Sequence, residues 1–288
     1  MRLRPILPLL LLAAAPASRP AGPALWKVAD ADTTIYLFGT IHILPTGLKW
    51  RDPAFDRALA SADTLVVETV LDEEPGRLAR IMATLGRAPG LPPLVERVPP
   101  AKRPALLALV KESGVPLAAL QGMKTWAAAV VLTGPALNHI DLGPDPVGVE
   151  PQVEAQFRAA KKPVEGLETP ERQLGYFDRL PEASQRVFLE GVLDSPAKQR
   201  REFRETVAAW ARGDVGAIER SFADDPEFTP ALRDLLIRQR DQAWAGEIAR
   251  RLARPGTQFV AVGAGHLVGP DSVQAMLAKR GIRAVRVR

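Results

Sequence analysis

The sequence predicts an α/β protein: a central mixed β-sheet carrying large helical insertions. Three observations predict it. Short apolar runs of strand length recur at 33–41, 64–68, 162–168 and 258–262. Between them lie long stretches with apolar residues at spacings of three and four, the helical period. Two of the strand-like runs also end alike, in Gly39-Thr40-Ile41-His42 and Gly263-Ala264-Gly265-His266, in a chain with only three histidines.

The elements follow in order. Residues 1–17 read as a secretory signal peptide. Arg2 and Arg4 precede the apolar run 6–12, and small residues with one proline at 13–17 form the exit. The run is too short to span a bilayer, which takes roughly 20 residues. The expected destination is therefore outside the cytoplasm, periplasmic or secreted, with no transmembrane span after cleavage. A Pro/Ala-rich spacer at 18–24 leads into one α/β domain over 25–288.

Within the domain, 25–29 reads as a strand, Asp30-Ala31-Asp32 as a hairpin turn and 33–41 as a second strand. Asp52 and Pro53 open a short helix to residue 62. The run 64–68 is apolar until Glu68, as suits a strand buried on both faces. A helical insertion at about 73–160 has segments at 77–85, 102–113, 123–137 and 152–160, separated by Pro/Gly-rich breaks. It is expected to pack on the sheet and wall a cleft, as lids do. The strand 162–168 ends in Glu168. Thr169-Pro170 then caps a second helical insertion at about 170–253. A strand at 258–262, a helix at 271–279 and a strand at 282–287 close the chain.

Composition narrows the chemistry. There is no cysteine, so disulfides, thiolate ligands and a Cys nucleophile are excluded. The net charge of +5 includes two signal arginines. The remaining cations are interleaved with Asp and Glu, with no basic stripe among aromatics, so no nucleic-acid partner is expected. H-E-x-x-H, G-x-S-x-G and Walker patterns are missing. Gly263-Ala264-Gly265 lacks the third glycine of a dinucleotide loop.

His42, Glu68, Glu168 and His266 all fall at strand ends. In open α/β folds ligands bind at the carboxyl edge of the sheet, where glycine allows close backbone approach. Taken singly, each His or Glu reads as a satisfied turn residue or a helix-cap acceptor. The repeated pattern, and carboxylates that are costly after apolar strands unless partnered, point instead to a site. Nitrogen and oxygen donors suit Mn, Co, Fe or Zn, and such an ion polarises a carbonyl and acidifies water. His42 and His266 are expected to hold it, each with an acceptor behind its second nitrogen. Glu68, close to His42 in the chain, is the expected third ligand and Glu168 the expected base. Arg240 belongs either to a solvated basic helix face or to the site, holding a carboxylate or carbonyl oxygen. His139 reads as a helix-terminal histidine, and Trp244, Ile248 and Leu252 as core spacing.

Four segments together carry a resemblance: Leu37-Phe38-Gly39-Thr40-Ile41-His42, Val66-Val67-Glu68, Gly166-Leu167-Glu168-Thr169 and Val262-Gly263-Ala264-Gly265-His266-Leu267-Val268-Gly269. They look like the motifs of the TraB/GumN family, which includes the TraB/PrgY pheromone-shutdown proteins and is related to the animal Tiki metalloproteases. The resemblance implies a fold akin to erythromycin esterase and the ChaN haem-binding proteins. It also implies a divalent-metal-dependent peptidase, with Mn or Co favoured, using His42, Glu68, Glu168 and His266. Two positions depart from the family pattern. Gly148-Val149-Glu150 stands where Gly-Leu-Asp is usual, and Arg240-Asp241 where Arg-Asn is usual. The expected function is a secreted metal-dependent hydrolase acting on a peptide or protein substrate. Its rivals are a non-catalytic haem, metal or peptide binding protein, and a metal-free esterase using His42 with Glu68.

Overall fold

In the computed structural model, which describes residues 22–70 and 76–288, six strands form one sheet. They are β1 (Leu25–Ala29), β2 (Thr33–Thr40), β3 (Thr64–Thr69), β4 (Val164–Glu168), β5 (Gly256–Gly263) and β6 (Val285–Arg286), in the order β4-β3-β5-β2-β1-β6. The signal peptide expected at 1–17 lies outside the described residues. β4, β3, β5 and β2 are mutually parallel, while β1 runs antiparallel to both β2 and β6. The sheet is mixed, as expected, and its four parallel strands deliver all their carboxyl ends to one edge.

The strands are apolar on both faces because both faces are covered. Successive side chains point to opposite sides. Phe38, Leu65, Val67, Phe259 and Ala261 enter one core, while Leu37, Val66, Val260 and Val262 enter the other. The first core is aromatic. Phe38 packs on Phe55 at 4.7 Å between ring centroids, and Trp50 on Phe55 at 4.8 Å. Trp210 donates its indole N–H to the Gly39 carbonyl at 2.7 Å, which ties the helices on this side to the end of β2. The second core is closed by Trp244, Ile248, Val273 and Leu277.

The helices are α1 (Pro53–Ser61), α2 (Arg77–Leu85), α3 (Arg103–Ser113), α4 (Leu117–Gln121), α5 (Thr125–Leu137) and α6 (Val149–Ala159) in the first half. The second half has α7 (Pro170–Asp178), α8 (Glu182–Val192), α9 (Pro196–Ala211), α10 (Val215–Ala223), α11 (Pro230–Arg233), α12 (Gln239–Arg251) and α13 (Val273–Ala278). The expected caps form: Asp52 accepts from Ala54 and Phe55 N–H, and Thr169 from Arg172 N–H. The short α4, between Gly114 and Gly122, was not expected. The stretch 170–253 is helical as expected, built from α7 to α12.

The insertion between β3 and β4 divides its packing. Only its last helix, α6, sends a row of residues, Val149, Val153 and Phe157, into the sheet's core. α3 and α5 join α8 in a separate helical core around Leu106, Leu109, Leu132 and Leu189. So this insertion packs largely on the second insertion and reaches the sheet through α6. No helix of the described residues is long and apolar enough to cross a membrane.

Between α11 and α12 the chain makes a π turn, Asp234–Arg238, in which the Gln239 N–H bonds the Asp234 carbonyl. Such turns of wider pitch are rare and recur at functional sites. Here it immediately precedes Arg240 and Asp241.

Arg97 holds the loops of the helical core. It is 1% exposed and donates to the carbonyls of Pro92, Gln121 and Met123 at 2.6–2.8 Å. Arg97→Ala would leave three carbonyls unbonded beside a cavity, and should destabilise the fold by about 3 kcal/mol or more in urea unfolding.

Candidate functional site

The convergence of four strand ends is set by the parallel pairing. β3 carries Glu68 near its end, β4 ends on Glu168, and β2 runs two residues on to His42. β5 ends at Gly263, after which a 3-10 turn (Ala264–Leu267) swings His266 back over the edge. The glycine is required there by space. A Cβ on Gly263 would stand 3.2 Å from Glu68 Oε1, 3.6 Å from His266 Cδ2 and 3.7 Å from His42 Nε2. Its missing side chain leaves a cradle that three of the expected residues face.

Arg240 enters the same cluster from α12 and is buried. Its Nη2 donates to Glu68 Oε2 and to Glu168 Oε1, each at 2.6 Å, and its Nε to Glu168 Oε1 at 2.9 Å. Its Nη1 lies 3.1 Å from His266 Nε2. The guanidinium also sits over the Trp244 ring, 4.5 Å from its centroid. Of the two readings open for Arg240, the geometry is that of a buried cation holding carboxylates.

One cation between two carboxylates separates their acidities. Burial works against an ionised Glu68, but the electrostatic pull of His266, Arg240 and His42 outweighs it and lowers the group to about 2. Glu68 Oε1 also accepts the Gly263 N–H at 2.7 Å, and its Oε2 accepts from Gln173 at 3.3 Å. Glu168 is shifted the other way, upwards, because burial dominates over its contact with Arg240. Only 1% of its side chain is exposed, and Oε2 is taken by the Trp244 indole at 3.3 Å.

The histidines differ in exposure. His266 is buried and His42 is not, with 71% of its side chain in solvent. His42 Nδ1 lies 2.7 Å from Glu150 Oε1, and this hydrogen bond is the main cause that raises His42 to about 9. His266 Nδ1 lies 2.6 Å from Asp241 Oδ1. Glu150 sits in the first turn of α6, which docks on the His42 loop through Val149 N–H to Ile41 C=O at 3.0 Å. The approach is so close that a Cβ on Gly148 would fall 2.0 Å from the His42 carbonyl oxygen.

The structure thus brings His42, Glu68, Glu168, Arg240 and His266 to one sheet edge. His139 lies elsewhere, paired with Glu112 at 2.7 Å. Trp244 is in the core as its spacing predicts, yet also stacks on Arg240 and packs 4.5 Å from His266. Glu150 and Asp241 were visible in the sequence only as departures from a pattern, with no role attached.

The donors fit a divalent ion in kind. They are two imidazoles and a carboxylate around a space kept open by Gly263. As the side chains stand, however, no three His, Asp or Glu groups of the described residues are gathered tightly enough to hold one. Arg240 engages Glu68 and faces the His266 nitrogen that would bind. His42, His266 and Glu68 would hold the ion once the Arg240–His266 contact yields.

Asp241 is 0% exposed, and burial raises it to about 6. A carboxylate raised in the folded state favours folding fully below its unfolded value, near 3.8, and loses that contribution as pH rises through 6. Asp241→Asn keeps an acceptor for His266 and removes the titration. In thermal melts with chelator, the variant should gain on the parent between about pH 4 and pH 7 by on the order of 3 kcal/mol.

The chain is 25% identical over 262 residues to the uncharacterized protein YbaP of Escherichia coli (strain K12), covering 88% of this chain and 92% of that protein. The protein of the same name in Shigella flexneri matches to the same extent. No solved structure matches. The model of the TraB/PrgY/gumN family matches residues 24–286, nearly the whole described chain, and the protein belongs to that family.

Proposed function

We propose that this protein is an exported, divalent-metal-dependent hydrolase acting on peptide or protein substrates, with the ion held by His42, His266 and Glu68. The observation that supports the reading is the shared cradle at Gly263, faced by two imidazoles and a carboxylate at the carboxyl edge of the sheet. Mn or Co is favoured by the resemblance, and Zn or Fe fits the same donors. When bound, the ion would polarise a carbonyl and make its water more acidic.

The chain's own groups supply the rest. Arg240 is a permanent cation held by Glu68, Glu168 and the Trp244 face. Once its contact with His266 yields, Nη1 would offer a donor to negative charge developing on a carbonyl oxygen. Glu168 has both oxygens engaged, so we assign it the anchoring of Arg240 rather than the role of base expected from sequence. His42, the exposed histidine, meets the substrate side.

One observation favours a second reading, a metal-free hydrolase of esterase type. Arg240 Nη1 occupies His266 Nε2, which leaves His42 Nε2 as the imidazole nitrogen facing the cradle. His42 would then act as base, oriented by Glu150 rather than Glu68.

Two experiments separate the readings. Full-length protein is incubated with a mixed peptide library, with and without chelator, and its metal content is measured. The metal reading expects His42→Ala and His266→Ala each to lose both the ion and hydrolysis. Bound metal with no turnover of any peptide would support the binding-protein alternative. The second experiment is the pH–rate profile in chelator. A base raised to about 9 is mostly protonated at neutral pH, so the metal-free rate should rise roughly tenfold per pH unit up to about 9. Loss of all activity in chelator at every pH rules out the metal-free reading.

A further inference from the structure

We propose that Glu150 and Asp241 are positioning residues that fix the tautomers of His42 and His266, so that both rings carry a hydrogen on Nδ1 and keep a lone pair on Nε2, which in His42 faces the space beside Gly263 and in His266 meets Arg240. The catalytic consequence rests on the hydrolytic reading above, but the tautomers themselves do not.

For His266 the assignment follows from hydrogen-bond donors. Arg240 Nη1, 3.1 Å from His266 Nε2, belongs to a guanidinium that has donors only and does not lose its proton. Nε2 must therefore offer a lone pair. The ring hydrogen then resides on Nδ1, where Asp241 Oδ1 accepts it at 2.6 Å. Asp241 is wholly buried, and its second oxygen, Oδ2, has no hydrogen-bond partner among the described residues. A buried carboxylate left half-satisfied is destabilising, which is hard to explain by packing alone. Its placement is explained by the ring it faces.

His42 repeats the arrangement from the other side of the cradle. Nδ1 meets Glu150 Oε1 at 2.7 Å, and the same oxygen accepts the Thr40 hydroxyl at 2.5 Å. An oxygen accepting from Thr40 is suited to accept from Nδ1 as well. Glu150 Oε2 is buried without a partner among the described residues, as Asp241 Oδ2 is. Nε2 of His42 then faces Gly263 with its lone pair. Two carboxylates, 91 positions apart in the chain and on different helices, thus stand behind two rings in the same relation. Carboxylates placed behind metal-binding or proton-accepting histidines orient the ring and raise its basicity. The two departures from the family pattern fall on these two residues.

The test reads the rings directly. The chain has three histidines, so long-range 15N–1H spectra of the 15N-histidine-labelled full chain contain three ring patterns. His42→Ala and His266→Ala assign them, and His139 serves as an internal reference. Spectra are recorded in chelator as pH is raised until each ring is neutral. Both site rings of the parent should be protonated on Nδ1. Glu150→Ala should abolish that pattern for His42 alone, and Asp241→Ala for His266 alone. Glu150→Gln and Asp241→Asn, which keep an acceptor oxygen, should retain it. A purely structural role would not switch one ring while leaving the other unchanged. An Nε2–H ring at either site histidine in the parent overturns the proposal, as does an alanine variant with unchanged tautomers. Should Asp241→Ala fail to fold, the parent spectrum and Asp241→Asn still decide. Because no turnover is measured, the proposal can fail while the hydrolase reading stands, and the reverse.

Discussion

The site depends on one buried cation. Glu68 and Glu168 stand at the ends of strands that enter the core, and both carboxylates are nearly removed from solvent. Uncompensated, they would repel each other and resist burial. Arg240 makes the arrangement tenable. It bridges both carboxylates, lies on the Trp244 face and reaches His266, so the sheet edge and α12 are held by a single fork of donors. Glu68 is pulled acidic by His266, Arg240 and His42 together, whereas burial pushes Glu168 up despite its contact with Arg240. The edge is therefore polarised before any ligand arrives, with the ionised Glu68 next to the cradle and the more reluctant Glu168 behind Arg240.

Much of this was legible in the sequence. Short apolar runs ending in Gly or Glu located the strands closely, because a strand buried on both faces carries few polar residues to blur its pattern. The Gly-x-x-His repeat and the two strand-end glutamates named four of the five residues that meet, since parallel pairing gathers strand ends whatever the sheet order. Arg240 was ambiguous because a helix rich in Arg looks the same from the sequence whether one of them turns inward or not. Glu150 and Asp241 stood out only as departures from a pattern, with no local sign of what they face. Their partners lie 108 and 25 positions away, and only the docking of α6 and α12 creates the pairs. The order of the sheet likewise comes from tertiary packing.

The helical insertions show a similar division between local and distant causes. Their helices follow the apolar period, and most begin where proline or a capping residue predicts. What they pack on does not follow. α6 belongs to the sheet's core and carries Glu150, whereas α3 and α5 form a separate core with α8. The first insertion therefore touches the site through the helix nearest in sequence to β4, while α3 and α5 pack on α8.

The π turn at Asp234–Arg238 gives α12 a particular phase. Neighbouring residues on a helix diverge by about 100°, yet Arg240 and Asp241 both serve one imidazole, one at each nitrogen. They do so as a caliper closes on a disc, from opposite edges, and the setting of the caliper is the rotation of the helix at that point. The wide turn lets the helix change its rotation before residue 240 while Leu232, upstream, stays buried. The two contacts on His266 thus share a single mechanical degree of freedom. Any rotation of α12 that improves one of them is felt at the other, which confines the ring more tightly than two independent bonds would.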